Sequence, residues 1–198
     1  MKKKILIVVN TLWNISNYRE NLIRHLSKQY KLFFIGFNNL SKSNKNFLNN
    51  FGQYTHLDFN KRKTNVYFEL LTFVRLTRFI IKQRPDIILT FTIKPNIYTS
   101  IIGNFFKTPV ICNVTGLGSY LTKNIFFKMF INFLYFICFI NSKIVFFQND
   151  RDRNYFVKNK ILKRNRTFIL PGSGVDLKKF NYNKYKNYKI RTKFTFLI

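Results

Sequence analysis

Five polar segments stand directly behind short apolar runs, and they hold most of the side chains and glycines able to do chemistry. They are Asn10-Thr11-Leu12-Trp13-Asn14, Thr92-Ile93-Lys94-Pro95-Asn96, Thr115-Gly116-Leu117-Gly118-Ser119, Gln148-Asn149-Asp150 and Pro171-Gly172-Ser173-Gly174-Val175-Asp176. Lys94 precedes a proline that fits a helix start, so its ammonium and the first helical N–H groups together can hold an anionic oxygen. The plain alternative is a solvated lysine. The glycines at 116, 118, 172 and 174 let backbone N–H groups approach a ligand closely, or simply make turns. Asn149 or Asp150 can cap the helix that follows, or offer a polar group to a cleft. Each loop alone says little; taken together they describe one polar cleft.

Several chemistries are excluded. The first loop lacks GxGxxG, and no GxxxxGK[ST] occurs, so neither dinucleotide fingerprint nor P-loop is present. Two cysteines, Cys112 and Cys138, with no CxxC or Cys/His cluster, give neither a disulfide framework nor a zinc site. His25 falls inside a helical pattern and His56 inside a strand pattern, and neither is assigned a catalytic role. Asp58, Asp150, Asp152 and Asp176 form no close pair of the kind a glycosidase needs. The Asn14-Ile15-Ser16 and Asn113-Val114-Thr115 sequons have no secretory signal ahead of them and are read as chance matches.

The elements that must position these loops follow from periodicity. Apolar runs at 4–9, 30–36, 54–59, 86–91, 109–114, 143–147 and 167–170 read as strands. Between them lie helical patterns: one capped by Ser16 and running to Gln29, with Tyr18, Leu22 and Leu26 on its apolar face and Ile23 beside them; a short one at 46–51; a long one at 64–83; one starting at Pro95; one at 123–140; and one at 150–157. In the 64–83 helix Leu70, Phe73, Val74, Ile80 and Ile81 share one face and Arg75, Arg78 and Lys82 another. Strands alternating with helices predict an α/β fold, a doubly wound parallel sheet covered on both faces. Ligands in such sheets sit at the carboxyl ends of the strands, where the five loops lie.

Ile125–Ile140 has only Lys128, Asn132 and Tyr135 with polar groups, and with Asn124 these make one narrow stripe. Deep packing, shallow membrane contact and a membrane span are the three readings. The 16-residue length and Lys128 oppose a span, which needs about 20 apolar residues.

The chain has 198 residues and a net charge of +28, from 35 Lys plus Arg against 7 Asp plus Glu. At 46% hydrophobic and 19% aromatic it is not a basic disordered tail. The absence of alanine and the abundance of Lys, Asn, Ile and Phe point to AT-rich codons. Codon bias does not explain 11 Arg against only Glu20 and Glu69, since both residues have a codon with a single G among A's. Such a charge draws in anionic partners: nucleic acid, anionic lipid or phosphorylated substrates.

The set of segments resembles the N-terminal domain of GT-B glycosyltransferases of family 4, of the bacterial kind that extends polyprenyl-diphosphate-linked sugars for surface polysaccharides or protein glycans. Asn17-Tyr18-Arg19, Thr92-Ile93-Lys94-Pro95-Asn96-Ile97-Tyr98, Thr115-Gly116-Leu117-Gly118, Phe147-Gln148-Asn149 and Gly172-Ser173-Gly174-Val175-Asp176 with Phe180 carry the likeness. It implies a Rossmann-like N-terminal half of a GT-B fold. It also implies a retaining, metal-independent transferase with a nucleotide-sugar co-substrate and no other cofactor. Residues 1–181 would be the acceptor-side domain. Residues 182–198 would be a linker and, at Lys193–Ile198, the first strand of a donor domain whose remainder is absent, which leaves this chain inactive alone. Asn10, Arg19, Lys94, Asn96, Thr115, Gly116 and Gly118 would face the acceptor, with Arg19 and Lys94 toward its diphosphate. Asn149, Gly172, Ser173 and Gly174 would line the donor cleft. The partners implied are a polyprenyl-diphosphate-linked sugar, a nucleotide sugar held by the donor domain, and the anionic inner face of the cell membrane, with the protein peripheral on its cytoplasmic side. Some family members place a histidine in the loop at Thr115; here there is none. A basic nucleic-acid-binding protein is the rival reading, weakened by the spread of basic residues and the lack of a binding module.

Overall fold

The structure, a computed structural model, describes residues 2–37, 42–57, 66–117, 124–140, 142–174, 176–177 and 181–185. Gly118, Asp58, Thr64, Val175, Phe180 and the 186–198 segment lie outside the described residues.

Seven strands form one parallel sheet: β1 (Lys4–Val8), β2 (Lys31–Gly36), β3 (Gly52–His56), β4 (Ile87–Phe91), β5 (Val110–Val114), β6 (Ile144–Phe147) and β7 (Thr167–Ile169). Their order is β3-β2-β1-β4-β5-β6-β7, so the winding reverses between β1 and β4. The helices are α1 (Trp13–Tyr18), α2 (Glu20–Gln29), α3 (Lys42–Asn49), α4 (Val66–Gln83), α5 (Ile93–Phe105), α6 (Ile125–Phe139), α7 (Asp150–Lys158) and the short α8 (Tyr182–Tyr185). The architecture is the expected doubly wound α/β fold, Rossmann-like in its strand order.

Alternation along each strand feeds two cores. Ile5, Ile7, Leu32 and Phe34 meet Leu12, Ile15, Ile23 and Leu48 of the α1–α3 side. Leu6, Val8, Phe33 and Ile35 share the other core with Leu76, Ile80, Ile97, Ile102, Tyr135 and Phe156 of α4–α7. Burying one such side chain contributes roughly 1.5–3 kcal/mol, so these two sets dominate the hydrophobic driving force.

Three local expectations are corrected. The helix expected to start at Ser16 begins at Trp13 and breaks at Arg19, whose φ of −128° and ψ of 18° are not helical. Ser16 is no cap: its Oγ donates to the Trp13 carbonyl at 3.1 Å, and Asn17 Nδ2 donates to the same oxygen at 2.9 Å. Such side-chain bonds compete with the backbone ladder and bend or end helices. The break turns Tyr18 and Leu22 outward, while Ile23 stays buried. On α4 the buried stripe is Thr72, Leu76 and Ile80; Leu70 and Ile81 are exposed, whereas Arg75, Arg78 and Lys82 face water as expected. On α6 the polar stripe points inward. Asn132 Nδ2 donates to the Tyr155 hydroxyl at 2.9 Å, and Lys128 Nζ lies 5.7 Å from the centroid of that ring. Tyr135, Cys138 and Phe139 are buried, while Phe126, Met129, Phe130, Phe133 and Phe136 are exposed. Deep packing therefore holds for one face only. No helix among the described residues is long and apolar enough to cross a membrane.

Candidate functional site

A cavity of about 700 Å³ opens at the carboxyl ends of the strands. Its floor is Phe91 from the end of β4, Asn113 from β5, and Arg19 from the α1–α2 break. One wall is the helical edge with Trp13, Asn17, Tyr18, Glu20, Asn21 and Leu22; the other is Leu170, Gly172, Ser173, Gly174 and Asp176 behind β7. This is the crevice side of a doubly wound sheet, where ligands bind.

Arg19 is 7% exposed and its guanidinium carbon sits 4.0 Å from the centroid of the Phe91 ring. Its Nη1 reaches the Asn14 carbonyl only at 3.4 Å, and its Nε has no acceptor. Burial pulls its pKa down to about 10, so it stays charged at neutral pH. The neighbouring carboxylate does not help: Glu20 pairs with Arg24 at 2.7 Å, one turn along α2. Asn113 is 7% exposed, and its side-chain Oδ1 also lacks a partner. Trp13 and Tyr18 stand at the rim in edge-to-face contact, centroids 5.2 Å apart.

Gly172 and Gly174 have φ of 76° and 74°, the left-handed region that favours glycine. A Cβ at either would meet nothing within 4 Å, so it is the backbone conformation and not crowding that calls for glycine. Beside the floor, Thr92 has φ 75° and ψ 164°, a conformation almost confined to glycine, here held by a β-branched residue. Its N–H donates to the Asn113 carbonyl at 3.3 Å, and Asn96 Nδ2 donates to that same carbonyl at 3.0 Å. These bonds hold the strained turn in place.

Of the residues singled out in the sequence, the cavity brings together Arg19, Gly172, Ser173 and Gly174. It therefore merges one residue expected on the acceptor side with three expected in the donor cleft. The others are placed elsewhere. Asn10 is exposed and accepts from Asn14 Nδ2 at 3.1 Å. Lys94 Nζ is 2.6 Å from Glu69 Oε1, and Tyr98 donates its hydroxyl to the other oxygen of that carboxylate. Burial first, and Glu69 second, raise the Tyr98 pKa. Asn96 is fully buried as a tie between α5 and β5. Thr115 and Gly116 are half-buried, and the next N–H, that of Leu117, donates to Asp152 Oδ2 at 3.3 Å. Asn149 caps α7, accepting from Asp152 N at 2.8 Å. Trp13, Phe91 and Asn113 were assigned to neither the acceptor side nor the donor cleft. Asn113 carries a readable signal, as the one polar residue in the apolar strand VICNV. Among the described residues no group of three His, Cys, Asp or Glu could hold a metal ion.

No family model matches the sequence, and no curated protein matches it. Solved structures do match the fold. The UDP-N-acetylglucosamine 2-epimerase from Rickettsia bellii superposes with a TM-score of 0.65 at 12% identity, over 94% of this chain and 48% of that one. The S. aureus MnaA–UDP structure gives 0.64 at 15% identity, over 96% and 50%. A glycosyltransferase from Rickettsia africae gives 0.61 at 15% identity, over 92% and 46%. The chain spans about half the length of these structures. The likeness is one of fold, and it supports a GT-B-like half-domain.

Proposed function

We propose that this chain is the acceptor-side half of a nucleotide-sugar-dependent glycosyltransferase that works at a membrane surface. The observation that carries the reading is the single cavity joining Arg19 to the Gly172–Gly174 loop at the strand carboxyl ends. The fold neighbours include a glycosyltransferase and structures bound to UDP, which fits a nucleotide-sugar reaction. Residues 1–181 form the acceptor domain, residues 182–198 lead toward a donor domain, and no cofactor beyond the nucleotide sugar is needed. The acceptor is a saccharide on a polyprenyl diphosphate. Retaining, metal-independent transfer and kinship with family 4 rest on the sequence resemblance.

Two exposed surfaces support work at an anionic membrane. Arg75, Arg78 and Lys82 on α4 are basic and exposed, and each such residue near an anionic membrane is worth roughly 1 kcal/mol. The outer face of α6 is aromatic and exposed, on the same side of the sheet as α4. The deciding experiment compares retention of the chain on vesicles carrying a prenyl-diphosphate-linked saccharide with retention on single-stranded DNA at equal ionic strength. Tighter binding to the vesicles is expected. Tighter, more salt-sensitive binding to DNA would overturn the reading in favour of nucleic acid.

A further inference from the structure

Arg19 presents an unusual combination: an arginine only 7% exposed, with no ion pair to a carboxylate among the described residues. A buried charge costs several kcal/mol unless something pairs it. Among the described residues, the ring of Phe91 and one long bond to a carbonyl are its compensation. Two carboxylates also line the cavity, Glu20, which pairs with Arg24, and Asp176, and neither forms an ion pair with Arg19, so its guanidinium can take an anionic group from a ligand. Asn113 lines the same cavity, and its side-chain amide carries both donor and acceptor groups. A ligand suited to this lining brings an anionic group to Arg19 and hydroxyls to the polar and acidic side chains around it. The rim adds Trp13 and Tyr18, whose flat apolar faces suit the C–H face of a pyranose.

We propose that this cavity is a binding site, within this half of the fold, for a glycosyl phosphate: Arg19 holds a phosphoryl oxygen, the polar side chains beside it, Asn113 among them, take sugar hydroxyls, and the Trp13–Tyr18 rim covers the ring. On the far side Gly172 and Gly174 carry no side chains, so the phosphate can lie against their backbone, with Ser173 and Asp176 beside it. The choice of a sugar phosphate rests on the function proposed above; the anion site itself does not. Glycosyl phosphate is the portion shared by a nucleotide sugar and a lipid-diphosphate sugar, so the site has two possible sources of ligand.

Trp13 is the only tryptophan in the chain, and its emission reports on this cavity alone. The 198-residue protein is titrated with N-acetylglucosamine 1-phosphate, with free N-acetylglucosamine, with UDP-N-acetylglucosamine and with a short prenyl-diphosphate N-acetylglucosamine. A saturable change with the sugar phosphate, at least tenfold tighter than with the free sugar, is expected. Arg19→Gln should weaken it at least tenfold, Arg19→Lys by less, and the distant Arg164→Gln not at all, with circular dichroism confirming each fold. No saturable change, or equal affinity in Arg19→Gln, would overturn the proposal. Binding of the sugar phosphate with no gain for the prenyl compound over the UDP compound would leave the cavity assigned while removing the acceptor-side reading.

Discussion

Replacing Arg19 by methionine should make the protein more stable while destroying the anion site. The structure allows the balance to be worked. Removing the guanidinium forfeits its contact with Phe91, 4.0 Å away and desolvated, worth about 2 kcal/mol. It also forfeits the 3.4 Å bond to the Asn14 carbonyl, long enough to count for about 0.5 kcal/mol at most. Against this stands an unpaired buried charge whose effective penalty is several kcal/mol. Methionine refills the volume and recovers about 1 kcal/mol through its sulfur on the same ring. The net is a gain of about 1–2 kcal/mol, at the lower end of what replacing buried ionic groups by apolar ones gives. For a chain of this size that is about 2–8 °C in Tm. Thermal unfolding of both proteins by circular dichroism, in buffer free of phosphate and sulfate, measures it. A fall in Tm of several degrees would show that the native protein already pairs Arg19, and the argument for a ligand-supplied counter-charge would fail. Added pyrophosphate should narrow the gap by stabilising the parent and leaving the variant unmoved.

Three further outcomes are expected. Thr92→Gly relieves a backbone conformation that costs a β-branched residue about 1–3 kcal/mol, so urea unfolding should show a gain of about 1 kcal/mol after glycine's own entropic cost; a loss would mean the turn is held by the threonine side chain. Burial raises the Cys112 pKa from the ordinary thiol value of about 9 to about 11, so its stabilising contribution is present in full below pH 9 and is lost as pH rises through 11. Urea midpoints should fall across that window, less so in Cys112→Ser, and thiol reagents at pH 8 should label neither cysteine until the protein unfolds. On α6, the double change Phe130→Ser and Phe133→Ser, at exposed positions, should leave Tm within about 2 °C but reduce vesicle binding at least fivefold; unchanged binding would assign membrane contact to the basic residues alone.

The fold was largely legible because its strands are short apolar runs bounded by polar loops, and local pattern suffices for that. All seven strands fall within two or three residues of their expected limits. The loops after β4, β5, β6 and β7 were located the same way. What was not legible depends on contacts distant in sequence. Lys94 meets Glu69 from 25 positions away, so no local pattern distinguishes its ion pair from a solvated side chain. Asn96 is spent on a carbonyl of a strand 17 residues later. The α1–α2 break depends on two polar side chains sharing one carbonyl, and it decides which aromatic residues reach the cavity rim. On α6, periodicity found the polar stripe correctly but could not tell which side was outward, because the partner is Tyr155 of another helix.

The outward face of α6 also bears on how copies of this chain behave toward one another. Phe126, Met129, Phe130 and Phe133 form an apolar strip of the kind that joins molecules in water. A charge of +28 opposes such joining, but only over the screening distance, about 10 Å at 0.1 M salt and about 3 Å at 1 M. Colloidal behaviour should therefore run opposite to that of most basic proteins. Salt, ordinarily added to keep a polycation in solution, here removes the repulsion that keeps the aromatic strips apart, and the protein should be most monodisperse in dilute buffer.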